Sequence, residues 1–210
     1  MTTQTDRAAG AAPDPGTAAR GRGALLGLAA LFFVPLVASF WLYYAGGWRP
    51  AGSTNHGELI TPARPLAPTP FTLADGVTAA RADLFRGKWS LVYIGDGACA
   101  SADCRKSLWL MRQTRLLLAE DMSRVQRVLV AADGCCDTAF LQAEHKGLEV
   151  LRADPATMSA FVAQFPSTDL SHSVYVVDPL GNLMMRFDAR QDPDGLLDDM
   201  KKLLKLSHIG

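Results

Sequence analysis

Hydrophobic and polar positions divide the chain into two unlike parts. From Gly23 to Trp48 no charged residue occurs, and Ala24–Ala45 reads ALLGLAALFFVPLVASFWLYYA, enough to cross the roughly 30 Å hydrocarbon core as one helix. A cleavable signal needs an apolar run of only about 7–15 residues before a small-residue cleavage site, so an uncleaved anchor is expected over 23–48. Pro35 interrupts the run, which membrane helices tolerate, and Trp41, Tyr43, Tyr44 and Trp48 gather where an interfacial aromatic belt belongs. Arg20 and Arg22 flank the near end and only Arg49 the far end. The positive-inside rule then predicts a cytoplasmic tail over 1–22 and an exported remainder, which in a bacterium means an inner-membrane protein with a periplasmic domain. Residues 49–70 carry Pro50, Pro62, Pro65, Pro68 and Pro70 and read as a Pro-rich linker.

After Phe71 short β-rich runs alternate with helical stretches. Trp89–Ile94 (WSLVYI) is an apolar run of strand length ending in the Gly95-Asp96-Gly97 turn, the mark of a buried strand. A helix follows over about 102–119, where Leu110, Met111, Leu117 and Leu118 share one face. Val125–Ala132 and Leu148–Ala153 read as strands, and Thr138–His145 and Pro155–Gln164 as short helices. Ser173–Val177 and Leu183–Phe187 flank Asp178-Pro179-Leu180-Gly181-Asn182, whose Pro and Gly suit the tight turn of a hairpin. Asp192-Pro193 opens a closing helix, and Lys201, Lys202 and Lys205 near its end complement the helix dipole. This order of elements predicts an α/β fold, a thioredoxin-like sandwich over 71–210, preceded by one transmembrane helix.

Composition narrows the function. Hydrophobic residues make up 49% and charged residues 20%, which excludes wholesale disorder. Lys+Arg and Asp+Glu balance at 21 each, so no global field attracts nucleic acid and no such partner is expected. Four cysteines are too few for a disulfide-rich framework and enough for one dithiol site. On an oxidising side of a membrane they need a chemical reason.

Cys99-Ala100-Ser101-Ala102-Asp103-Cys104 falls at a strand-to-helix junction, where free backbone N–H groups and the helix dipole stabilise a thiolate. Ser101 is the candidate N-cap, which puts Cys104 at the third helical position beside Arg105 and Lys106, surroundings that lower a thiol pKa. Two cysteines five apart in one helix point roughly 140° apart, so they converge only if Cys99 lies in the preceding loop. An inert surface disulfide is the competing reading. Cys135-Cys136, at the next strand-to-helix loop, reads as a second thiol pair, a resolving pair, metal ligands or buried small hydrophobes. Bonding between neighbours demands a strained ring, so a vicinal disulfide there is expected to be labile rather than stable. Met184 and Met185 read as one core and one surface strand residue. His56, His145 and His208 show no partner in the sequence. Arg105, Lys106, Arg112 and Arg115 read as a solvated helix face or a dock for an acidic partner.

Three segments, KWSLVYIGDGACASADC, VLVAADGCCDT and DLSHSVYVVDPLGNLMMRF, resemble the Sco/SenC family of copper-assembly proteins for cytochrome c oxidase, over about Phe71 to Gly210. The resemblance implies a membrane-anchored, thioredoxin-like domain that binds copper through a cysteine pair and a distant histidine and helps deliver it to the oxidase. By position the implied ligands are Cys99, Cys104 and His172, with Cys135 and Cys136 second to them. Thiolates are soft donors that select Cu(I), and a neutral imidazole completes a three-coordinate site. The pair holds four intervening residues where the family has three, and Ala100 stands where the family has Pro. Ser171 precedes His172 where the family commonly has Asp, so the carboxylate that orients the imidazole is either absent or supplied by Asp169. The implied function is a copper chaperone, or a thiol reductase serving the same copper site. Its partner is the copper-bearing oxidase subunit, and no small-molecule substrate is implied. The alternatives are a general membrane-anchored thiol–disulfide oxidoreductase, with Cys99 and Cys104 as its redox-active pair, and a non-catalytic oxidase assembly scaffold. The absence of a short Cys-x-x-Cys argues against the oxidoreductase.

Overall fold

The computed structural model describes residues 15–44, 54–131, 136, 138–166 and 169–210. The chain divides into two units, Met1–Gly52 and Ser53–Gly210.

Helix α1, Pro15–Tyr44, belongs to the first unit. Its stretch Gly23–Tyr44 is 22 residues long, with large apolar side chains exposed along it. At 1.5 Å per residue it measures about 33 Å, long and apolar enough to cross a membrane. Pro35 sits inside the helix without ending it. The helix begins at Pro15, so the expected tail over 1–22 is helical toward its end, and a proline at the first helical position presets the backbone for that start. Trp48 and the rest of 45–48, expected to complete the span, lie outside the described residues.

In the second unit, β3 (Trp89–Gly95), β4 (Val125–Ala131) and β5 (Leu148–Arg152) run parallel. β6 (Ser173–Val177) joins β3 antiparallel, and β7 (Asn182–Asp188) joins β6 as its hairpin partner. The hairpin turn closes through Asp178, whose Oδ1 accepts the Leu180 and Asn182 N–H groups at 2.9 and 2.8 Å, with Gly181 supplying the left-handed residue (φ 87°). Helices α2 (Ala102–Leu117), α3 (Thr138–Glu144), α4 (Pro155–Val162) and α5 (Pro193–Leu206) complete the unit, with a 3-10 turn over Ala119–Arg124 after α2.

Successive strand side chains alternate faces, and both faces of this sheet are covered. Leu91, Tyr93, Leu129, Val174 and Val176 pack with Leu108 and Met111 of α2 and Leu196 and Met200 of α5. Val92, Ile94, Val128, Val130 and Tyr175 pack with Phe161 of α4 and with Phe71, Leu84 and Phe165. Burial on two faces is why the β3 sequence is apolar but for Ser90 and does not alternate. Met185 is buried and Met184 only partly so, as alternation predicts.

The expectation of a linker over 49–70 is corrected at 58–65, while 49–53 lie outside the described residues. Glu58–Pro65 forms an edge strand, β1, antiparallel to β7 with a register shift between Leu59 and Arg64. An edge strand leaves one row of backbone groups unpaired, so it tolerates Pro62 and Pro65 and needs no hydrophobic alternation, which is why composition makes it look like a linker. Buried Asp199 of α5 fixes its beginning by accepting the N–H groups of His56 at 2.9 Å and Gly57 at 2.8 Å. Gly195 admits the close approach of His56, whose Cβ lies 2.8 Å from where a side chain would begin. At the other edge, β2 (Thr72–Leu73) pairs antiparallel with β5, too short to show any period. The sheet order is β1-β7-β6-β3-β4-β5-β2.

Candidate functional site

The cysteine pair is built where β3 gives way to α2. Cys99 lies in the loop with a left-handed backbone (φ 48°), a conformation that costs a non-glycine residue free energy and here turns the chain back toward the helix. Ser101 is the N-cap: its Oγ accepts the Cys104 N–H at 3.1 Å and places Cys104 at the third helical position. The two Cα atoms stand 5.3 Å apart, within bridging range, and the sulfurs form a disulfide. Cys99 is 0% and Cys104 1% exposed, and both belong to the α2-side core. The disulfide is therefore buried, not the surface bond weighed as an alternative. The Arg105 Nε donates to the Cys99 carbonyl oxygen at 3.3 Å, so a cation pins the loop.

His172 stands just before β6. Because β3 and β6 are antiparallel with Tyr93 opposite Val174, the end of β3 that leads into the cysteine loop and the start of β6, which His172 precedes, lie at the same end of the sheet. The imidazole is 3% exposed. Its Nδ1 lies 3.4 Å from Asp169 Oδ1 and 3.1 Å from Ser171 Oγ, and its Nε2 lies 3.7 Å from Asp188 Oδ2. Asp169 thus takes the orienting place expected of it. The side chain of Arg190 bonds the Asp188 carboxylate at 2.7 Å and, with lesser help from His172, holds its pKa down to about 2. Among the described residues no three of His, Cys, Asp and Glu are grouped so as to hold a metal ion. In the disulfide form the two sulfurs are bonded to each other, and the imidazole faces carboxylates on both sides.

Two residues that the sequence reading passed over tie these parts together. The Tyr93 hydroxyl donates to the Ser171 carbonyl oxygen at 2.8 Å, linking the strand that leads to Cys99 with the segment that carries His172. Burial first, then the carboxylates of Asp96, Asp103 and Asp169, push its phenol well above the ordinary value. Asp188 is the second. The only sequence signal for either was a polar-tipped aromatic in an apolar run and an acid at a strand end. Cys136 is half-buried, disulfide-bonded, and lines a cavity of about 430 Å³ with Leu141 and His145, while Cys135 lies outside the described residues. His145 is buried against the Phe140 ring at 5.2 Å. The Arg105 guanidinium stands over the same ring, 5.5 Å from its centre, and Arg112 pairs with Glu144 at 3.5 Å.

Solved structures with the same fold include yeast Sco1 with copper bound, 16% identical, covering 73% of this chain and 95% of that one at a TM-score of 0.57. BsSco, a member of the Sco family of cytochrome c oxidase assembly proteins described with a disulfide switch, is 15% identical over 69% of this chain and 96% of that one, at 0.53. The thioredoxin domain of a thiol-disulfide oxidoreductase from Bacteroides vulgatus is 14% identical over 66% and 96%, at 0.50. At these identities the likeness is one of fold. No curated protein matches the sequence. A family model described as the transmembrane-like, thioredoxin-like, C-terminal domain matches residues 89–207, more than half of the chain. On that match the chain belongs to the family of transmembrane-like proteins with a thioredoxin-like C-terminal domain.

Proposed function

We propose that this is a membrane-anchored copper-assembly protein. Its Cys99–Cys104 pair, once reduced, binds Cu(I) together with His172 and passes it to the copper-bearing subunit of cytochrome c oxidase. The observation that carries the reading is the pair itself, closed across a capped helix start at the sheet end where His172 also lies. Reduction by an external dithiol transfers two electrons and two protons, oxidises that dithiol, and leaves two thiols. Their thiolates are the soft donors Cu(I) prefers. For His172 to join them one ring nitrogen leaves its carboxylate for the metal, and the carboxylate on the other nitrogen keeps the ring oriented. Low coordination leaves a position open for ligand exchange with the receiving subunit. The anchor is Gly23–Tyr44, with the amino terminus in the cytoplasm and the thioredoxin-like domain in the periplasm, on the bias of Arg20 and Arg22. Cys135 and Cys136, once reduced in the same way, serve as a second thiol pair.

A second reading has the same pair act by thiol–disulfide exchange alone, reducing the thiols of the copper site or of other partners. The carboxylates facing both nitrogens of His172 favour it, since they leave the imidazole engaged. One titration separates the two. The reduced full chain, challenged with Cu(I) against a chromogenic chelator, takes up one equivalent under the first reading, while the oxidised chain takes up none. A reduced chain that takes up no Cu(I), yet whose disulfide exchanges with dithiols, decides for the second.

A further inference from the structure

β4 carries an arginine in the core. Arg127 is 3% exposed; its Nη2 donates to the Lys146 carbonyl oxygen at 2.6 Å, and among the described residues its Nε and Nη1 have no hydrogen-bond partner. The residue lines a cavity of about 320 Å³ between the second half of α2, the beginning of β4 and the connection from α3 to β5. Arg112, Arg115 and Lys146 line it too, with Glu144 as the one acidic lining residue, and Glu144 pairs with Arg112 at 3.5 Å. Arg115 is fixed by its Nε bond to the Val125 carbonyl oxygen at 2.7 Å. Burial first, then Arg115 and Arg112, draw the Arg127 guanidinium down to about 10, which leaves it charged at neutral pH.

Four cations held together around one carboxylate oppose folding, and burying the Arg127 guanidinium without a carboxylate partner adds to that cost. Arg115 and Arg127 are held in place by bonds to backbone carbonyls, and an anion bound among these cations would relieve both costs. We infer that this cavity binds a dianionic phosphate group, as inorganic phosphate or the monoester of a small molecule, anchored by Arg127 and enclosed by Arg112, Arg115 and Lys146. Guanidinium donors match phosphate oxygens in pairs. The excess of cations over the single carboxylate favours a dianion over a monoanionic carboxylate or phosphodiester. The cavity is a different place from the dithiol, since Arg112 and Arg115 stand roughly 12–16 Å further along α2 than Cys104.

The test uses the full chain in neutral detergent, titrated calorimetrically with inorganic phosphate at about pH 8 and constant ionic strength, where phosphate is chiefly the dianion. Saturable binding at one site is expected, with sulfate competing and chloride not. Arg127→Met should weaken it at least about tenfold, and Arg112→Gln and Lys146→Gln about three- to tenfold each. Lys201→Gln, on α5, should leave it unchanged. The two rim variants decide the matter if Arg127→Met folds poorly. Binding that does not saturate, that chloride or glycerophosphocholine matches, or that survives both rim substitutions unchanged would overturn the inference.

Discussion

Ser101 sets where α2 begins by accepting the Cys104 N–H, and with it the direction in which Cys104 faces. Ser101→Ala should lower stability by about 1 kcal/mol, while Ser101→Asp keeps most of it, as thermal unfolding of the two variants would show. Asp154 caps α4 in the same way, its carboxylate accepting the Thr157 hydroxyl at 2.5 Å and the Ala156 and Thr157 N–H groups at 3.0 and 3.1 Å. The Thr157 hydroxyl, followed by its N–H, holds the Asp154 pKa below the ordinary 3.8. A pKa lowered by folding means the native state binds the proton less readily than the unfolded chain. The contribution is therefore complete above about pH 4 and disappears as pH falls through the lowered native value. Unfolding midpoints of Asp154→Asn should accordingly fall less than wild type between about pH 5 and pH 2, and equal slopes would remove the cap from the account of acid stability. The Ser101 cap and the loop position of Cys99 were legible because each follows from local spacing: a small hydroxyl two residues after a cysteine, and a helical step that forbids convergence any other way. Tyr93 and Asp188 were not, since their roles depend on which distant segment the sheet lays beside them.

Among the elements, the inner strands declared themselves and the edges did not. β3 and β6 are covered on both faces and read as apolar runs with one serine each; β1 is exposed along nearly its whole length and rich in proline. What holds β1 is partly the buried Asp199, far away in sequence, and nothing in residues 58–65 announces it. Asp199→Ala should cost about 2–3 kcal/mol, because it removes charge-assisted bonds to two backbone N–H groups and leaves that of Gly57 buried without a partner. Hydrogen exchange over 58–65 should quicken in that variant more than exchange in β3 or β4. Uniform quickening across the sheet would mean that β1 is not separately secured by this contact.

For the molecule as a whole, the proposed topology rests on a charge-free helix and the arginines at its near end. A reporter active only outside the cytoplasm, fused after Gly210, should be active, and a cytoplasmic reporter in its place silent; the reverse result would put the dithiol in a reducing compartment and remove the need for an external reductant. The fold class and the cysteine and histidine positions were legible at this scale because β-α order and three short segments carry them. The second carboxylate on His172, that of Asp188, was not, since it arises from the meeting of β6 and β7. The most direct test of the proposed function is Cu(I) affinity of the reduced full chain, measured by chelator competition in wild type and in Cys99→Ser, Cys104→Ser and His172→Ala. One tightly held Cu(I) is expected in wild type, lost in either cysteine variant, and weakened on the order of tenfold in His172→Ala, because two thiolates remain strong donors without the imidazole. Wild-type affinity in Cys99→Ser would contradict it and move the copper to Cys135 and Cys136.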